Sequence, residues 1–119
     1  MNEQTRKVIS VHEYILKEGV DPQTFERALR EARESGLLDL PGLLEVYFVK
    51  GIRGAREGQY AAIWVYESRE AWERLWGAPG RPVPRERYPA NWRTWEDEIL
   101  APFLAEDPDA IRFTSYQEV

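Results

Sequence analysis

The sequence predicts an α+β fold of order βαββα(α)β, in which helices cover one face of a four-stranded antiparallel sheet. Three observations predict it. Several short segments alternate residue by residue at a strand's period of two, while others repeat their apolar residues at the helical period of 3.6. Residues that cap helices stand at the heads of the helical segments. Glycine- and proline-rich stretches separate one segment from the next.

The elements follow in order. Arg6 to Lys17 reads as a first strand, with Ile9, Val11 and Ile15 on one face and Val8, Ser10, His12, Tyr14 and Leu16 on the other. Glu13 falls among the aliphatics. Asp21-Pro22 then opens a helix, an N-cap followed by a proline at the position where a missing N–H costs nothing. Its inward stripe is Phe25, Ala28, Leu29 and Ala32, and Gly36 stops it. After a turn-rich link, Leu43 to Gly51 alternates Leu44, Val46 and Phe48 against Glu45, Tyr47 and Val49, a second strand. Three glycines make 51–58 a hairpin loop.

The third strand sets Tyr60, Ala62, Trp64 and Tyr66 against Ala61, Ile63 and Val65. Ser68 caps a second helix with Ala71, Trp72, Leu75 and Trp76 at helical spacing. From Gly77 to Pro89 the chain holds half of its eight prolines and no periodicity, a long loop of the kind used as a lid, a binding segment or an arm. Its Arg81, Arg85 and Arg87 beside Tyr88 suit a carboxylate or phosphate, or a solvated arm. Asn91 is the expected cap of a third helix carrying Trp92, Trp95, Ile99, Leu100 and Phe103, which Pro102 near its end kinks or terminates. Asp107-Pro108-Asp109 turns into a last strand with Ile111 and Phe113 opposite Arg112, Thr114 and Tyr116.

Composition bounds the function. The 119 residues are read as one domain, 1–119, with a single core. A net charge of −5 argues against a general nucleic-acid partner, since phosphate affinity comes from Lys and Arg. With no cysteine, neither disulfides nor thiolate metal sites are available. No apolar run approaches the roughly 20 residues that cross a bilayer, so the expectation is a cytoplasmic protein without a membrane partner.

A split βαβ repeat of this order is similar to ferredoxin-like domains, whose sheet keeps one face uncovered. That face is expected to carry Ser10, His12, Tyr14, Glu45, Tyr47, Tyr60, Trp64, Tyr66, Arg112 and Tyr116. Such a patch is too aromatic to stand in water, so a homodimer through the exposed sheet face is expected. The element order, the VISVHEYIL and YAAIWVYES strands and the final helix-DPD-strand resemble the dimeric α/β-barrel superfamily. That group holds antibiotic-biosynthesis monooxygenase-like, NIPSNAP-like and EthD-like proteins. The resemblance spans Lys7 to Val119 and contains no catalytic motif. It implies paired sheets closing a barrel, with small-molecule pockets in the barrel or between sheet and helices. Among the activities it implies is cofactor-independent oxygenation of quinols. Haem degradation is not supported, because the second helix has no histidine and the first strand no asparagine.

His12, the single histidine, is the candidate base or proton shuttle, with Tyr14 and Tyr47 as catalytic neighbours. The competing reading is a buried histidine bonded to backbone or tyrosine. Glu13, Glu45, Trp64, Tyr66, Trp72, Trp92, Arg112 and Tyr116 are the candidate substrate contacts for a planar aromatic ligand. The tryptophans equally suit core packing, and Glu13 equally suits an edge reaching solvent. No H-x-x-x-H or H-E-x-x-H spacing occurs, and neither a metal nor a cofactor is expected. Two functions stay open: a cofactor-free monooxygenase-like enzyme, in which His12 or a tyrosine assists proton removal, or a non-catalytic dimeric binding or stress-related domain.

Overall fold

The structure, a computed structural model, describes residues 2–119. Strands β1 (Val8–Tyr14), β2 (Leu43–Lys50), β3 (Tyr60–Tyr66) and the C-terminal strand Phe113–Gln117 form one antiparallel sheet in the order β2-β3-β1-C-terminal strand. This is the ferredoxin-like arrangement expected from the element order. Helix α1 (Pro22–Glu34) joins β1 to β2, and α2 (Arg69–Trp76) follows β3. The 77–89 segment is not wholly irregular: β4 (Gly77–Ala78) and β5 (Arg81–Pro82) form a small hairpin before a turn of 3-10 helix. Helix α3 (Ala90–Thr94) then continues as a π-helix, Trp95–Leu100, in which the Ala101 N–H donates to the Glu96 carbonyl at 2.9 Å. The C-terminal strand is β6 below.

Local chemistry explains most of these boundaries. The Asp21 side chain accepts from the Gln23 N–H at 3.2 Å, and Ser68 Oγ accepts from the Ala71 N–H at 3.1 Å, so each caps its helix as expected. Gly36, at φ +83°, turns the chain out of α1. Asn91 does not cap α3, which begins one residue earlier after Pro89. Its amide instead donates to the carbonyls of Leu37 and Asp39, at 3.0 and 2.7 Å, and ties the helix to the link after α1.

The register decides the faces and corrects the expected uncovered patch. Ser10 stands opposite Trp64 and Ser115, and Trp64 opposite Val46. Ser10, Tyr14, Tyr60, Trp64 and Tyr66 are therefore buried beneath the helices, and His12 lies there with them. The open face holds Ile9, Val11, Glu13, Ile63 and Val65, with Glu45, Tyr47, Arg112 and Tyr116 around them. For β1 and β3 the two faces are thus exchanged relative to expectation, while β2 and β6 keep theirs. The reason is volume. Large rings fill the gap between the sheet and a helix layer, whereas short branched aliphatics make a flat surface that suits a second sheet. A bulge at Leu44 lets β2 keep Leu43, Val46 and Phe48 on the covered side.

The core is accordingly aromatic. The Trp64 indole meets Trp92 at 5.0 Å and Trp95 at 6.1 Å between ring centres, and Phe25 meets Tyr60 and Phe103 at 5.2 and 5.3 Å. The Tyr60 hydroxyl donates to the Glu26 carboxylate of α1. No helix among the described residues is long and apolar enough to cross a membrane.

Candidate functional site

The covered face is not filled everywhere. Between the β1–β6 half of the sheet and the α2–α3 layer lies a cavity of about 340 Å³. Its floor is Ser10, His12, Phe113 and Ser115; its walls are Trp72 and Trp76 of α2 and Trp92 of α3; the β4–β5 hairpin and Tyr88 close one side. Glu96 and Asp109 also line it. Flat apolar walls with a few convergent polar groups are what a small-molecule site requires. Trp76 fits this role because α2 projects it over the sheet, where its indole N–H donates to the Tyr66 hydroxyl at 3.2 Å.

The polar groups form two sets. At the floor the hydroxyls of Ser10 and Ser115 share a 2.7 Å hydrogen bond across β1 and β6. Beside them the His12 ring packs against Trp64, Trp92 and Phe113 at 5.6 to 6.0 Å. Burial alone lowers its pKa to about 4, because no carboxylate offsets the cost of a charged imidazole there. His12 is therefore neutral near pH 7, a hydrogen-bonding group and a weak base.

The other set centres on Glu96, which is 5% exposed. Burial first, then the neighbouring Asp109, push its pKa up to about 7, against the opposing pull of Arg85 and the Trp92 indole. Arg85 reaches in from the proline-rich segment, 3.3 Å from Glu96, 2.7 Å from Asp97 and 3.9 Å from Asp109. This guanidinium is consumed by its own chain's carboxylates, which removes it from the expected role of recognising an external carboxylate or phosphate. Sequence reading missed Glu96. The available signal was its place on the inward stripe Trp92-Trp95-Glu96-Ile99-Leu100, where an acid among rings is out of pattern.

The structure thus brings His12, Tyr66, Trp72 and Trp92 to one cavity and separates the other candidates from it. Trp64 and Tyr14 are core residues, and burial drives the Tyr14 and Tyr66 phenols upward, Tyr14 further through Glu96, so neither ionises near neutrality. Glu45, Tyr47 and Tyr116 stand on the open face. Glu13 and Arg112 lie in a different hollow, of about 550 Å³, at the end of β1. Glu13 is not beneath the helices: it meets Arg56 Nε at 3.1 Å and Arg112 Nε at 3.9 Å on the open side. Arg56 also donates to the carbonyls of Tyr14 and Tyr60, both at 3.1 Å, so this cluster ties the 51–58 loop to β1. Among the described residues no cluster of His, Asp and Glu is suited to hold a metal ion.

Solved structures share this architecture. A protein from Bordetella bronchiseptica, proposed to be an antibiotic biosynthesis monooxygenase, superposes with a TM-score of 0.65 at 15% identity, over 96% of this chain and 98% of that one. A DABB family protein with a ferredoxin-like fold from Mesorhizobium loti gives 0.60 at 11% identity, over 96% of each chain. A dimeric ferredoxin-like protein of unknown function from Thermobifida fusca gives 0.58 at 13% identity, over 99% of this chain and 96% of that one. No protein-family model and no curated protein matches the sequence. The neighbours agree with the expected ferredoxin-like fold, and at such identities the fold is what they share with this chain.

Proposed function

We propose that this protein is a small-molecule-binding homodimer whose sheet–helix cavity takes a planar, electron-rich aromatic of the quinol class for cofactor-independent oxygenation. The observation that carries this reading is the open cavity beside His12, walled by Trp72, Trp76 and Trp92. In the dimer, two open sheet faces pair and cover Ile9, Val11, Ile63 and Val65. A structural neighbour supports the pairing by analogy, since the Thermobifida fusca protein of this fold is described as dimeric.

The chemistry needs only the ligand and dioxygen. A proton leaves an acidic CH2 of the bound ring system, the carbanion forms a C–O bond with O2, the resulting peroxide takes up a proton, and the hydroperoxide loses its terminal hydroxyl with the carbon's remaining hydrogen as water. One oxygen atom stays as a ketone and the other leaves in water. Neutral His12 and the Ser10–Ser115 pair are placed to hydrogen-bond the ligand oxygen on which charge develops.

The test uses anthrone, a planar tricycle with an acidic central CH2. Oxygen uptake equal to anthrone consumed, with anthraquinone as product and no added cofactor, is the expected result. Binding without oxygen uptake would leave the non-catalytic binding domain as the better reading. His12→Asn is expected to weaken anthrone binding several-fold, and sedimentation at micromolar concentration is expected to give a dimer.

A further inference from the structure

We infer that Glu96 is the proton acceptor of this cavity, taking the proton of an uncharged planar carbon acid or phenol, and that Arg85 on the proline-rich segment is its positioning residue. The inference rests on the sheet–helix cavity being a ligand site.

The geometry comes first. Glu96 lies on the cavity wall one residue into the π-helix, between Trp92 and Leu100, which also line the space. A π-turn widens the helix and redirects the side chains at its start, a device that recurs at functional positions. A carboxylate buried among rings is costly unless it serves a purpose or is fully paired. Here the pairing is partial: Arg85 sits 3.3 Å from Glu96 but only 2.7 Å from Asp97, and it is shared with Asp109 as well. His12 is the poorer base, because nothing around it favours the imidazolium form.

The surroundings set both basicity and ligand charge. Facing Glu96 are Arg85 and Tyr88 from the proline-rich segment, Asp109 from the turn before β6, and Tyr14 from β1. Its own helix contributes Trp92 and Asp97. Burial and Asp109 raise its proton affinity to the neutral range, where a general base works best. Three carboxylates around one guanidinium leave this cluster negative, so an anionic ligand is repelled and a neutral acid admitted. In the step itself, the ligand's C–H or O–H bond breaks, its electron pair stays on the ligand, and a new O–H bond forms on Glu96. Deprotonation at the Arg85 rim returns that proton to water.

Exchange of the anthrone CH2 protons for deuterium, followed by NMR in D2O under nitrogen, reads this step without oxygen. Wild-type protein is expected to catalyse exchange at a rate rising with pH to a midpoint near 7. Glu96→Gln should lose on the order of 100-fold or more, Glu96→Asp should retain part of the rate, and Arg85→Gln should move the midpoint to higher pH. Exchange by Glu96→Gln at the wild-type rate, or a midpoint unmoved in Arg85→Gln, overturns the assignment. So does a wild-type protein that binds anthrone and does not exchange it. Exchange without aerobic oxygen uptake keeps Glu96 as the base and removes the oxygenase reading; oxygen uptake without Glu96-dependent exchange does the reverse. For ligand charge, tryptophan quenching should show 2-naphthoate binding weakened about tenfold or more relative to 2-naphthol between pH 5.5 and 8, and this pH effect should be absent in Glu96→Gln. Naphthoate binding as tight as naphthol at pH 8 overturns the charge preference, and Asp-variant and wild-type profiles decide the matter should the Gln variant fold poorly.

Discussion

The two faces of one sheet, built from the same strands, differ by a single residue step and have opposite characters. On the covered side Trp64, Tyr66 and Tyr60 stand under the helices with His12; on the open side their neighbours Ile63, Val65 and Ala61 make a low aliphatic surface. The covered face can afford a cavity because rings are rigid and meet at steep angles, as the Trp64–Trp92 and Trp76–Trp92 pairs do at 68° and 62°. On the open side the hollow lies at the end of β1, beside Glu13, Arg56 and Arg112, and not among Ile9, Val11, Ile63 and Val65. The proposed ligand site and the proposed docking surface are thus separated by the period of a strand.

The contrast can be broken most strongly at Trp64. Trp64→Ala is expected to cost about 3–5 kcal/mol, read as a fall in the denaturation midpoint, because the residue is fully buried among Trp92, Trp95 and Phe48. A loss below about 1 kcal/mol would show that the helix layer repacks freely.

The next effect, at most about 3 kcal/mol, sharpens the comparison within the covered face. His12, held near 4, favours the folded state fully above pH 6.5, and that contribution is lost as pH falls toward 4. Glu96, held near 7, acts in the opposite sense: the folded state binds its proton more tightly, so stability falls as pH rises from about 4.5 toward 7. Between these limits the two slopes oppose each other in the wild type. Glu96→Gln should therefore expose a stability that rises with pH over this window, and His12→Asn one that falls. Parallel pH–stability profiles for wild type and both variants would refute the opposition.

Smaller effects belong to the open face. Arg56→Ala is expected to cost about 1–2 kcal/mol through the lost bonds to Tyr14 and Tyr60 and the pair with Glu13. Ile63→Lys should change the stability of a single subunit by only about 0.5 kcal/mol while converting a sedimenting dimer to monomer. A dimer that survives Ile63→Lys would place the subunit contact elsewhere.

Legibility in the sequence varied with the range of the physics involved. Asp21, Ser68 and Gly36 act on backbone within a few residues, and each does what its type and position predict. Asn91 has the right type for a cap, but two carbonyls more than fifty positions away engage it instead. The tryptophan cluster was visible as stripes at helical spacing; which tryptophans fill the core and which wall a cavity was not, since Trp95 and Trp92 are neighbours on one stripe. Arg85 was legible as an anion-binding residue and not as one already satisfied by Glu96, Asp97 and Asp109.

By itself the sequence determined the order of elements, their caps and turns, and the fact that each strand has two unlike faces, because alternation, helical spacing and capping are properties of neighbouring residues. Only the tertiary structure decided which face the helices cover, because that choice rests on whether ring volumes match the space under a particular helix layer. It alone also set Glu96 against Arg85 and Asp109 on the wall of the cavity that His12 lines, since a carboxyl's proton affinity depends on the charges and the water that folding brings near it or takes away.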